Sequence, residues 1–253
     1  MRLGAALPLP ASGETTPASA IADSAKRLSD TGYESIWTFD AIGRGEICPD
    51  PLMLLCVAAT ATREVELATG ILQVPLRETV DLANRILTAQ LVCGPRLLLG
   101  VGFGSTKADF DAVGVPFEQR FELLDSQMLA LRELVATGSY EHVDLSPWPL
   151  SNTTLTWMLG TWGKHVSTAA RDYDGWIGSG HYRTDAELAT GIKRYREAGG
   201  KRAIVTNLAV ADGGDLSAIA TRLEHAAEAG FDDAVVVFRN PTVQSMQSVR
   251  KLL

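Results

Sequence analysis

The chain has 253 residues, of which 46% are hydrophobic and 21% charged. That composition excludes a disordered chain, and the length suits one large α/β domain or two small ones. Acids outnumber bases, 30 against 23, for a net charge of −7, which argues against nucleic acid, because neutralising phosphates takes a basic face.

The opening residues Met1–Pro8 combine one positive charge with a short apolar run, loosely like a signal peptide. The run is brief and holds a proline, so it reads as a first strand near Arg2–Leu7. A helix follows over about Pro17–Thr31, with Ile21, Ala25 and Leu28 on one face and Gly32 as its stop. The second strand is Ser35–Phe39, and the second helix starts at Asp50-Pro51, an N-cap followed by proline at the first helical position. A third strand at Glu66–Leu72 precedes a helix from about Glu78 to Val92. The fourth strand is Leu97–Phe103, with a short helical turn at Lys107–Ala112 behind it. Phe117, Phe121, Leu124, Met128, Leu131 and Val135 step by three and four, the period of a helix with one apolar face. Strands at Thr156–Thr161, Trp176–Gly180, Ala203–Val210 and Asp233–Phe238 then alternate with helices at Gly163–Tyr173, Asp185–Ala198, Asp215–Ala229 and Thr242–Leu252.

Eight strand–helix units with nothing left over predict a closed (β/α)8 TIM barrel over 1–253 as one domain. The alternative is a doubly wound sheet with extra units. The joints repeat: Asp30-Thr31-Gly32-Tyr33-Glu34-Ser35-Ile36 resembles Glu228-Ala229-Gly230-Phe231-Asp232-Asp233-Ala234. Each runs from helix through glycine and aromatic to strand, the short turn at the stability end of a barrel. The long irregular connection is Ser139–Asn152. Cys48, Cys56 and Cys93 form no CxxC pair, which points to reduced thiols and a cytoplasmic protein. His142, His165, His181 and His225 lack metal-ligand spacing. No apolar stretch approaches the ~20 residues of a membrane helix.

The chemistry of a barrel sits at the C-terminal ends of its strands. There Gly100, Gly102 and Gly104 share one face of the fourth strand, and Leu97, Leu99, Val101 and Phe103 the other, which suits packing against helices, so the glycines are expected to point into the barrel. Gly178 and Gly180 repeat the theme, and Gly70 and Gly160 add to it. Either something flat packs on this bare backbone, or large side chains such as Trp37 or Trp162 fill the space. Gly160-Thr161-Trp162-Gly163-Lys164 lies where a strand meets a helix, where free N–H groups can hold a phosphate or merely allow a tight bend. It is not a P-loop, since the leading glycine and the hydroxyl residue after the lysine are absent. Asp40 ends the second strand and Asp109 follows the fourth; either could position a substrate or trade a proton. Arg77, Lys107, Lys164, Arg183 and Arg239 lie beyond strand ends and together predict a positive mouth.

In order along the chain, Gly32–Asp40, Leu67–Leu72 with Pro75-Leu76-Arg77, Gly94-Pro95-Arg96, Gly100–Phe110, Gly114–Phe117 with Arg120, and Leu159–Gly163 with Ala169–Trp176 resemble the motifs of the bacterial luciferase-like flavin or deazaflavin oxidoreductases. The resemblance implies a barrel that binds FMN or coenzyme F420. Its ring would contact Thr69, Gly70, Gly102 and Ser105, and its phosphate Gly160, Thr161 and Gly163 with Lys164. It also implies hydride transfer or oxygen activation on a small organic substrate, with Asp40 and Asp109 as catalytic residues. F420 is slightly favoured, because the basic mouth suits an anionic tail. A partner reductase and a homodimer are further implications, and helices two and three carry more apolar residues than one buried face needs. The sequence departs from the pattern where Ala41 replaces a histidine, Ser105 a tryptophan and Asp109 a glutamate, and where the insertion before the fifth strand is short. The alternative is therefore a barrel that binds the cofactor without turnover. An isomerase or aldolase barrel ranks last, for want of a lysine at an inner strand end.

Overall fold

The computed structural model describes residues 1–9, 18–45, 47–146, 148, 155–212 and 215–253. In chain order the strands are β1 (Arg2–Ala6), β2 (Ser35–Thr38), β3 (Glu66–Gln73), β4 (Leu97–Gly102), β5 (Ser139–Tyr140), β6 (Val143–Asp144), β7 (Thr156–Gly160), β8 (Gly175–Ser179), β9 (Arg202–Ala209) and β10 (Asp233–Val237). Eight of them close into a parallel barrel in the order β1-β10-β9-β8-β7-β4-β3-β2. The expected (β/α)8 architecture is the one observed. β5 and β6 form a separate antiparallel hairpin inside the connection at Ser139–Asn152, of which 147 and 149–152 lie outside the described residues.

The helices are α1 (Ala18–Asp30), α2 (Pro51–Ala61), α3 (Thr79–Cys93), α4 (Lys107–Val113), α5 (Arg120–Thr137), α6 (Val166–Asp172), α7 (Asp185–Glu197), α8 (Ser217–Ala229) and α9 (Val243–Arg250). The proposed start of the first helix at Pro17 lies outside the described residues. Asp50 caps α2 as expected, accepting from Leu52 N at 3.0 Å and Met53 N at 3.2 Å. The apolar period from Phe117 begins one turn too early. Phe117–Gln119 is a 3-10 turn, α5 starts at Arg120, and Phe121 is partly exposed while Leu124, Met128 and Leu131 are buried. Gly32 and Gly230 sit at φ +92° and +95°, the left-handed geometry that lets a helix turn back into a strand.

Alternation along the strands builds two cores. Leu97, Leu99 and Val101 of β4 point outward into the layer between barrel and helices. Leu98 points inward, with Trp37, Ala68, Met158, Ile177, Ile204 and Val235. At the N-terminal end Arg202 closes the barrel, donating to both carboxylate oxygens of Glu66 (2.9 and 2.7 Å) and of Asp233 (2.9 and 3.0 Å).

Two bulges break the alternation, both toward the C-terminal mouth. The β3–β4 register passes from Gly70 opposite Gly100 to Leu72 opposite Val101, so Ile71 is the extra residue and turns inward. Between β9 and β10 the register passes from Val205 opposite Ala234 to Leu208 opposite Val236, and there Asn207 adopts φ +61°. Bulges re-aim side chains at sheet ends in this way.

Candidate functional site

A cavity of about 1080 Å³ opens at the C-terminal mouth. Residues from the ends of β2, β3, β4, β7, β8 and β9 line it, including Asp40, Gly70, Gln73, Gly104, Gly160, Thr161, Ser179 and Asn207. Such a volume lies at the top of the range of small-molecule and cofactor sites, about 300–1,000 Å³.

Asp40 and Asp109 are brought together by a residue the sequence analysis did not single out, Gln73. Its backbone N–H donates to Asp40 at 2.8 Å. Its side-chain amide donates to the Asp40 carbonyl at 2.9 Å and to the Asp109 carboxylate at 3.0 Å. Arg77 grips Asp40 in a bidentate pair at 2.6 and 3.0 Å, with the Asp40 side chain 2% exposed. Arg44 pairs with Asp109, whose side chain is fully buried and also accepts from Ile42 N–H at 3.1 Å. Burial pushes the Asp109 carboxyl up, but the bonds from Arg44, Gln73 and Ile42 outweigh it and hold the pKa below the usual range. The Arg77 guanidinium is destabilised by burial yet raised overall by Asp40 and Asp50. Asp40 lines the cavity; Asp109 lies behind it. Both carboxylates thus receive several protein hydrogen bonds, and the Asp40 carbonyl and the Asp109 carboxylate together hold the side-chain amide of Gln73 in one orientation.

The glycines divide into two groups. A Cβ on Gly70 would meet Trp37 at 2.9 Å, one on Gly102 would meet Ile71 at 2.8 Å, and one on Gly100 would strike Ile177. These face inward, and Trp37, Ile71 and Ile177 fill the space beneath the cavity. Gly178 and Gly180 do not join them, because Ile177 and Ser179 take the inward positions of β8. A Cβ on Gly178 would meet Leu188 and one on Gly180 Leu208, both in the outer layer. Gly104, at φ +79°, has its open side against Gln73 Oε1.

The other expected contacts scatter. Ser105, Gly160 and Thr161 line the cavity, as does Gly70. Thr69 is fully buried, and its hydroxyl donates to Gly100 O at 2.8 Å. Gly102, Gly163 and Lys164 lie outside the lining. The positive mouth is largely neutralised: Arg77 pairs with Asp40, Lys107 with Asp111, and Arg183 lies 4.6 Å over the Trp162 ring near Glu187. Arg239 belongs to a second, smaller cavity of about 390 Å³ beside α9.

Three buried polar atoms of the cavity walls have no hydrogen-bond partner among the described residues: Gln73 Oε1, Thr161 Oγ1 and Ser179 Oγ. Buried polar groups are ordinarily satisfied, so these three are candidate ligand contacts. Gln73, Asn207 and Ser179 were missed because bulges and cavity walls are invisible in a linear pattern. A faint signal existed: an asparagine inside the apolar run Ala203–Val210 is out of place in a strand and tolerates left-handed geometry. No group of three or more metal-ligating side chains occurs among the described residues.

Residues 1–235 match the family model described as luciferase-like monooxygenase. The chain belongs to the luciferase-like monooxygenase family. The luciferase-like chain is 32% identical over 93 residues to 4-hydroxyprotoasukamycin monooxygenase of Streptomyces nodosus subsp. asukaensis, covering 36% of this chain and 25% of that protein. It spans 25% to 43% of the length of its first three curated relatives. Among solved structures, an F420-dependent secondary alcohol dehydrogenase in complex with an F420-acetone adduct superposes with TM-score 0.81 at 14% identity, covering 100% of this chain and 98% of that one. The oxygenating constituent of 3,6-diketocamphane monooxygenase from Pseudomonas putida, in complex with FMN, gives 0.64 at 16% identity, over 92% and 80% of the two chains. At these identities the structural likeness is one of fold.

Proposed function

We propose that this luciferase-like barrel binds coenzyme F420 or FMN in the mouth cavity and acts as an oxidoreductase on a small organic molecule. The observation that carries the reading is the cavity of about 1080 Å³ with unpartnered Gln73 Oε1 and Thr161 Oγ1 in its walls. A planar, amide-bearing ring system fits these walls, with Gln73 as a fixed acceptor and Thr161 as an unpartnered hydroxyl. F420 or FMN, when bound, supplies hydride transfer, and reduced FMN can also activate oxygen. The chain's own residues then orient and desolvate. Asp40 and Asp109 are positioning residues: with Arg77 and Arg44 they lock the Gln73 amide so that its oxygen faces the ring. Ser105 and Gly160 complete the wall, and Gly163 and Lys164 stand beyond Thr161 for a phosphate. With most of the basic residues already paired, the mouth gives F420 no electrostatic preference over FMN.

A second reading, binding without turnover, draws support from the saturated aspartates and from Ala41, since neither supplies an open proton donor. Homodimer formation through α2 and α3 accompanies either reading, because these two helices expose Met53 and Leu91 at 64% and 61%, together with Val80 and Val92. The three unpaired cysteines suit a reducing cytoplasm, and a monooxygenase reaction would call for a partner reductase.

Titration of the purified protein with F420 and with FMN, oxidised and reduced, tests the proposal by fluorescence and absorbance. Saturable binding of one cofactor, followed by its turnover with a substrate panel, is the expected result. Binding of neither cofactor overturns the proposal, and binding without turnover on any substrate favours the second reading.

A further inference from the structure

Across the cavity from Gln73, the ends of β8 and β9 carry polar groups that the cofactor reading does not use. Ser179 and Thr206 are register partners on these adjacent strands. Both stand on the inward face, directly above Ile177 and Ile204 of the inner core. Ser179 Oγ is buried without a partner, and Thr206 is 1% exposed with its hydroxyl 3.4 Å from Gly178 O. Asn207 follows at the β9 bulge in left-handed geometry, φ +61°, and its amide nitrogen donates to Thr206 Oγ1 at 3.3 Å. A non-glycine residue held at positive φ is uncommon and marks a position whose side-chain direction matters. Asn207 lines the cavity together with Ser179 and Thr206.

The two guanidinium groups around this wall are already engaged. Arg222 pairs with Asp185 at 2.9 Å and donates to Gly180 O at 3.0 Å. Arg183 lies over Trp162 and within 3.7 Å of Glu187. The wall therefore presents hydroxyls and a carboxamide with no unpaired guanidinium behind them, which suits a neutral oxygen rather than a carboxylate or phosphate.

We infer that Ser179, Thr206 and Asn207 form the substrate-orienting subsite of this barrel, and that it takes an uncharged carbonyl or alcohol oxygen. The Ser179 hydroxyl donates to a carbonyl or accepts from an alcohol, and the Asn207 amide does the same from the neighbouring strand. Beneath them Ile177, which lines the cavity, offers an apolar surface to the body of the molecule. This assignment rests on the mouth cavity being an oxidoreductase site.

Ligand-observed NMR titrations with cyclohexanone and cyclohexanecarboxylate test it, on purified protein both without cofactor and with F420 or FMN added. The expected result is cyclohexanone binding at least tenfold tighter than the carboxylate. Ser179→Ala and Asn207→Gly should each weaken cyclohexanone about fivefold, the loss of one neutral hydrogen bond. Asn207→Gly should not lower Tm, because glycine adopts positive φ freely; weaker binding in a variant of undiminished stability separates ligand contact from a structural role. Equal binding of the carboxylate, no cyclohexanone binding, or unchanged affinity in both variants overturns the inference. So does a loss of F420 or FMN affinity that spares cyclohexanone, since the wall would then serve the cofactor. Failure of the parental protein to bind either cofactor removes the proposed function instead, and is read in a separate titration.

Discussion

Replacing Asp109 by Asn removes one charge from the buried end of the Arg44–Asp109–Gln73–Asp40–Arg77 chain while keeping the side chain's shape. The carboxylate accepts from Ile42 N–H, from Arg44 and from Gln73, so an Asn turns an N–H₂ toward at least one donor. A hydrogen bond to a charged group contributes about 1.5–3 kcal/mol. The Arg44 side chain is 32% exposed and can rehydrate, which places the loss near the middle of that range, about 2 kcal/mol at neutral pH. For a domain of this size that is a fall in Tm of about 4–8 °C. The pKa of Asp109 is depressed in the folded state. Its contribution is therefore fully present above the unfolded carboxylate value of about 3.9 and is lost as pH falls through the lower folded value. Urea unfolding of both proteins, followed by tryptophan fluorescence from pH 7 downward, should show a constant gap to about pH 4 that narrows below it. A gap under about 0.5 kcal/mol at pH 7, within the range of ordinary surface substitutions, would refute the reasoning.

Other consequences are open to measurement. Gly104→Ala places a methyl against Gln73 Oε1 at φ +79° and should cost about 1–2 kcal/mol while weakening F420 or FMN binding; unchanged Tm and affinity would contradict the placement of Gln73. His225 meets Asp185 at 3.0 Å, and this contact raises its pKa above 6.5. That pair contributes below the unfolded histidine value of about 6.5 and is lost as pH rises through the higher folded value. NMR titration should therefore find His225 above the free value and Asp185→Asn should bring it down; no difference would dismiss the pair. Met53→Lys with Leu91→Lys should turn a dimer into a monomer in light scattering at unchanged far-UV circular dichroism, and a parental monomer would end the dimer reading.

Much of the fold was legible without coordinates. Period-two and period-four hydrophobic patterns set strands and helices to within a few residues, since each element must bury one face. Gly32 and Gly230 announced the turns because positive φ favours glycine. The helix at Phe117 was misread by one turn: the aromatic period continued past the point where Pro116 and a 3-10 turn hold the backbone out of the α-helix. The glycines of β8 were assigned to the wrong face, because alternation fixes which residues share a face but not which face is inside.

The sequence by itself determined the barrel and the family, and pointed to the mouth as the candidate site, because these follow from local periodicity and short motifs in order. Only the tertiary structure decided what the candidate site residues contact. Asp40 and Asp109 read in the sequence as residues that could position a substrate or trade a proton, and the fold brings Arg77 and Arg44 onto them from distant positions. Gln73, Ser179 and Asn207 became candidates only when the barrel closed and two bulges turned backbone that reads as ordinary strand. Hydrogen-bond satisfaction is a property of three-dimensional neighbours. A buried oxygen left without a partner can be seen only after every other group has found its place.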